Sequence, residues 1–112
     1  MFAIILLARS DLQTMVTHSF EYYLGKACRR YRRGYLDMSV SEMLQKSHYP
    51  TSKSNISLFE QGKVHSSNML IAYHDADPTQ LDALYRSCQE AFQQFYQDMS
   101  QQHVVESEVN VE

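Results

Sequence analysis

The stretch Ser52-Lys-Ser-Asn-Ile-Ser57 places five polar side chains in six consecutive positions. Their types suit hydrogen bonding to flat polar partners: Asn pairs bidentately with adenine, Ser with several bases, and Lys with guanine or a phosphate. The apolar stripe of this segment is only Ile56 and Phe59, a narrow edge that can hold a helix on its domain. Ser52, Lys53, Ser54, Asn55 and Ser57 are then left to make contacts elsewhere. A helix laid in the major groove of DNA needs this division.

The formal charge of −3 for 112 residues argues against a polyanionic partner until it is divided along the chain. Residues 24–63 hold eight Lys and Arg against Asp37, Glu42 and Glu60, a net +5, whereas residues 64–112 hold Arg86 against eight acids, a net −7. The central block is where a polyanion would be met. Arg29, Arg30 and Arg33 before the polar stretch, with Lys63 and His65 after it, are the candidate phosphate contacts. Taken alone, an arginine cluster of this kind reads as a solvated helix face. Beside a helix shaped for base contacts it gains meaning, because neighbouring elements usually supply the phosphate contacts.

Five helices follow from the apolar spacing and the start signals. Phe20, Leu24, Ala27, Cys28 and Tyr31 mark a first helix from about Ser19 to Arg33, ended by Gly34. Ser39-Val-Ser-Glu42 is a capping box, with Met38 and Met43 at staple spacing, and starts a short helix from Val40 to about Ser47. Pro50 breaks the chain, Thr51 or Ser52 caps the polar third helix, and Gly62 supplies the left-handed residue after Gln61. Ser66 or Ser67 caps a fourth helix with Met69, Leu70 and Tyr73 inward. Asp77-Pro-Thr-Gln80 starts the fifth, expected to reach about Gln102 with Leu81, Leu84, Tyr85, Cys88, Phe92, Phe95 and Met99 along one side. Residues 104–112 read as an acidic flexible tail.

The blocks Leu24-Gly-Lys-Ala-Cys-Arg-Arg-Tyr-Arg32, Met38-Ser-Val-Ser-Glu-Met-Leu44 and Ser52-Lys-Ser-Asn-Ile-Ser-Leu-Phe-Glu-Gln-Gly-Lys63 together resemble the XRE (Cro/C1-type) helix-turn-helix domain. The nearest likeness is to the N-terminal domain of Rgg-type transcriptional regulators, over roughly residues 20–85. The resemblance implies a structural ion pair between Glu60 and an arginine of the first helix, Arg32. It implies base reading by Lys53, Ser54 and Asn55, a turn at Gly62, and a backbone or phosphate contact from Lys63. This chain departs from the family pattern at Leu58, where Rgg regulators usually carry arginine, and in a longer link from Leu44 to Ile56. The large peptide-binding repeat domain of those regulators has no counterpart after the fifth helix, so peptide sensing is not carried over.

Other chemistries find little in the sequence. An isolated acid–arginine pair is ordinarily structural, and no nucleophile with a base accompanies it, so no enzyme is expected. Cys28 and Cys88 lack a second ligand at metal spacing and read as small buried hydrophobes; the five histidines are scattered. No cofactor or metal is expected. The apolar run MFAIILLA is too short to span a bilayer and lacks the basic start of a secretory signal, so a cytoplasmic protein is expected. Residues 1–17 read as an N-terminal extension, with Met15 as an alternative natural start.

The sequence therefore predicts an all-α chain: a five-helix XRE-type (lambda repressor-like) helix-turn-helix domain in residues 18–75 with an extended C-terminal helix in 76–103. The expected partner is double-stranded DNA, bound as a homodimer that regulates, and represses, transcription. Phe92, Phe95 and Met99 lie beyond what the domain needs to cover and are expected to form the association surface. The alternative for that helix is a fold-back over the domain with the apolar N-terminal run packed on it. The alternative for the whole protein is a helix-turn-helix fold used to bind another protein, as an antirepressor or antitoxin-like partner would.

Overall fold

A computed structural model describes the backbone of residues 18–111 and the side chains of residues 18–101. Residues 1–17, which include the apolar run and Met15, lie outside the described residues. Among the described residues there are five α-helices and no strand: α1 Phe20–Tyr31, α2 Val40–Lys46, α3 Lys53–Glu60, α4 Leu70–Ala76 and α5 Leu81–Val111. None of these helices is long and apolar enough to cross a membrane.

Four of the five helix starts follow from side chains that accept from otherwise unpaired N–H groups, whereas the cap expected at Ser66 or Ser67 for α4 does not form. Ser19 accepts from the Tyr22 N–H, Ser39 from Glu42, Ser52 from Asn55, and the Asp77 carboxylate from Thr79. Met38 and Met43, at staple spacing across the start of α2, both pack on the core, Met43 fully buried. α4 is entered through a 3₁₀ turn, Ser67–Met69, and α5 through another, Pro78–Gln80.

The end of α1 departs from the expectation. Gly34 does not stop it; the chain runs on through a wider π turn, Arg32–Leu36, and Asp37 takes the left-handed conformation at φ 52°. The N–H groups of Asp37 and Met38 both reach the Arg32 carbonyl, the latter at 3.2 Å. Asp is among the few residues other than Gly that enter this region at small cost. α3 ends as expected: Gly62 has φ +76°, its N–H bonds the Phe59 carbonyl and the Lys63 N–H bonds the Leu58 carbonyl, a Schellman closure.

The core gathers Leu24, Cys28 and Tyr31 of α1, Met43 of α2, Ile56 and Phe59 of α3, Tyr73 of α4 and Leu84 of α5. Burial holds the Cys28 thiol well above its ordinary value, which leaves it unreactive. Burial also pushes the Tyr31 phenol up to about 12, so it stays protonated and donates to the Gln80 carbonyl, tying α1 to the entry of α5.

The face of α5 that meets α1 differs from the expected stripe of large residues. Ala83, Leu84, Ser87 and Ala91 are the buried positions, and Tyr85, expected inside, is 65% exposed. Small side chains let two helix backbones approach closely, and the bulky residues are turned to the flank. α5 also continues to Val111 instead of ending near Gln102, because no glycine or proline follows Pro78 to interrupt it. Residues 104–111, read as a flexible tail, thus belong to the helix backbone.

Candidate nucleic-acid interface

The position of α3 is fixed by two close approaches and one buried polar network. Gly25 of α1 lies under its C-terminal turn; a Cβ there would stand 2.2 Å from the Phe59 carbonyl oxygen. A Cβ on Gly62 would stand 2.9 Å from the Tyr22 Cα, so this glycine is required for contact as well as for its left-handed φ.

The network joins α1, α3 and α4. Arg32 donates from Nε to Glu60 Oε2 at 2.9 Å and from Nη2 to Glu60 Oε1 at 2.8 Å, a bidentate pair, and its third arm donates to the Met38 carbonyl at 2.9 Å. Tyr73 Oη donates to Glu60 Oε2 at 2.7 Å. Both charged residues are buried, at 7% exposure each. Hydrogen bonding to Glu60 raises the Arg32 pKa still further, and burial holds the Tyr73 phenol far above its ordinary value. Tyr73 therefore remains a neutral donor, as the carboxylate requires. The Met38 contact extends the same lock to the segment that leads into α2, which sets α2 and α3 against each other. A second tie, from the His48 N–H and ring Nδ1 to the Asp75 carboxylate, links the end of α4 to the turn between α2 and α3.

With Ile56, Phe59 and Glu60 turned inward, the rest of α3 faces out. Ser52, Lys53, Ser54 and Asn55 are exposed and Ser57 is half-buried. Counting about 100° per residue from Ile56, the centre of the outward face is Ser54, Leu58 and Gln61, with Asn55 on one flank and Lys53 and Ser57 on the other. Leu58 is 37% exposed and Gln61 is exposed. The sequence reading left both out of the candidate contacts. Gln61 is legible as a last-turn residue opposite the apolar stripe, and Leu58 stands where the resemblance places an arginine, a DNA contact either missing here or replaced by an apolar one.

Arg29 and Arg33 of α1 and the following turn line an open groove of about 480 Å³ together with Lys53 and the start of α2, Ser39 to Glu42. Arg29 also borders the adjoining hollow against Ser57 and Gln61. Three cations, from α1, the π turn and the first residue of α3, thus line this groove together with the acids Asp37 and Glu42. Arg30 is not in this group: one residue past Arg29, it is turned about 100° around α1. Lys63 and His65 are exposed just past the C-terminal end of α3, where the His65 ring lies 3.3 Å from the Gly62 carbonyl.

The three expected association residues are not equivalent. Phe95 folds back on α1, with its ring centroid 6.1 Å from that of Phe20 and 6.5 Å from that of Tyr23. Phe92 touches Phe20 edge-on yet remains 59% exposed, and Met99 is 45% exposed. Tyr85 and Tyr96 complete a stripe with them at helical spacing. Among the described residues no group of three or more His, Cys, Asp or Glu could hold a metal ion.

Neither a protein-family model, nor a curated protein, nor a solved structure matches this chain.

Proposed function

We propose that this protein is a sequence-specific DNA-binding transcriptional regulator of the XRE helix-turn-helix type, acting as a repressor in the form of a homodimer. The observation that carries the reading is the placement of α3. A short helix with an outward face of Ser54, Asn55, Ser57 and Gln61 is locked from behind by a buried Arg32–Glu60–Tyr73 network and flanked by Arg29, Arg33 and Lys53. Rigid presentation matters because a base contact is worth its energy only when the donor and acceptor are held in register. In the complex, Arg29, Arg33 and Lys63 meet phosphates and set the orientation, while Lys53, Asn55 and their neighbours meet base edges. The exposed stripe Tyr85, Phe92, Tyr96 and Met99 supplies the contact between copies, which places two α3 helices on successive half-sites. No catalytic step and no cofactor belong to this reading.

Lys53→Ala and Asn55→Ala, both at exposed positions, test it. Each should weaken binding to the preferred site by about 1–3 kcal/mol without changing thermal stability. Equal losses on preferred and random duplexes would remove these residues from base reading. One observation favours a second reading, a protein-binding use of the same fold: Leu58 puts an apolar side chain in the middle of the outward face. Binding to any DNA with a shallow salt dependence would support that alternative.

A further inference from the structure

Leu58, the sixth residue of α3, lies at the centre of its outward face, the side that a helix in the major groove turns toward the bases. Its neighbours on that face are Ser54, one turn before it, and Gln61, three residues after it. The inward side of α3 is already filled by Ile56 and Phe59, both fully buried, so the domain's own core does not need Leu58. The major groove offers a leucine one apolar partner, the C5-methyl group of thymine, and otherwise presents hydrogen-bonding groups that a leucine would leave unpaired. Asn55 precedes Leu58 by three residues, a rise of about 4.5 Å along the helix, close to one base-pair step of about 3.4 Å.

We infer that Leu58 is a specificity-determining residue that reads the methyl group of a thymine, one base-pair step from the adenine met by Asn55. The inference rests on the DNA-binding reading and gives it a content that the polar residues alone do not. Each half-site contains two adjacent A·T pairs, and at one of them the thymine is selected for its methyl group. A leucine at this position discriminates twice: it gains apolar contact with thymine, and it desolvates the polar edge of guanine or cytosine without returning a hydrogen bond.

The test removes the methyl group from the DNA. A preferred site is first obtained by selection from random duplexes, and each of its thymines is then replaced in turn by uracil, which keeps base pairing and lacks the C5-methyl. The wild-type protein should lose about fourfold in affinity at one thymine per half-site, the worth of one methyl group at about 0.8 kcal/mol, and little at the others. Leu58→Ala should bind the thymine and uracil duplexes equally at that position. Glu90→Ala, exposed on α5 away from α3, should keep the discrimination. A wild-type protein that binds its site but does not distinguish uracil from thymine anywhere would overturn the assignment of Leu58 alone. Discrimination that survives Leu58→Ala would do the same. Failure of the selection to yield any site, from folded protein, would overturn the DNA-binding reading and this inference with it.

Discussion

Replacing Arg32 with alanine strands the Glu60 carboxylate at 7% exposure with one remaining donor, the Tyr73 hydroxyl. Two charge-assisted hydrogen bonds, at 2.9 and 2.8 Å, are lost together with the third arm to the Met38 carbonyl. Breaking a buried pair from one side costs about 3–5 kcal/mol, because the surviving charge stays desolvated and unpaired. Tyr73→Phe removes a single bond to a charged acceptor and should cost about 1.5–3 kcal/mol. The triple variant Arg32→Met, Glu60→Leu, Tyr73→Phe removes both charges and the hydroxyl while keeping volume. It should lie within about 2 kcal/mol of the wild type, because both buried charges leave together and only the half-buried Met38 carbonyl loses a donor. Urea denaturation followed by circular dichroism, with the slope checked for constancy, gives all three values. Arg32→Ala costing under about 1 kcal/mol, or a triple variant as damaged as the single one, would refute the claim that this cluster acts as one buried unit.

Gly25→Ala should destabilise by about 1–3 kcal/mol, since the added Cβ meets backbone that can yield only by moving α3, whereas Gly34→Ala, which meets nothing within 4 Å, should be neutral or stabilising by up to about 1 kcal/mol; chemical denaturation of the pair checks this. Phe92→Glu, at 59% exposure, should leave the fold intact and convert a dimer to a monomer in sedimentation experiments, while unchanged mass would point to another association surface. The Asp75 carboxylate is held below its ordinary value of 3.8, first by the His48 N–H and then by the His48 ring. A depressed carboxylate adds stability above its unfolded pKa and loses it as the pH falls through the folded value, so the loss belongs to the range below the ordinary value. Asp75→Asn should therefore flatten the acid limb of a stability-against-pH curve, and an unchanged acid limb would show that the link does not persist in solution.

Most caps and turns were legible in the sequence because each is a local event, the exception being the start of α4, which has a 3₁₀ turn in place of a serine cap. Ser39, Ser52 and Asp77 accept from N–H groups two or three residues away, and Gly62 needs only its own positive φ. The stretch Arg32–Leu36 was not legible: a glycine at 34 signals a stop, but the left-handed position falls at Asp37 because the π turn inserts extra chain before the helix closes. Gly25 carried no local signal at all, since its role depends on a carbonyl from another helix. For α5 the hydrophobic pattern was right for Leu84, Cys88 and Phe95, which pack on the core, and wrong for Tyr85. Ranking by size put Tyr85 inside, whereas close helix contact selected Ala83, Ser87 and Ala91 beside Leu84. The polar side of α3 was legible as chemistry, but Arg29 and Arg33 could be separated from Arg30 only once the groove they line with Lys53 was seen.

The most direct test of the account is selection of bound fragments from random-sequence duplex DNA by the purified protein, followed by affinity measurement at 50 and 200 mM salt. Three cations per copy, Arg29, Arg33 and Lys63, give about six phosphate contacts for a dimer and a fall in affinity of about 10³-fold across that range. The account predicts a palindromic site with A·T pairs in each half and a salt dependence of that steepness. Folded protein that enriches no sequence, or binds with little response to salt, would contradict it.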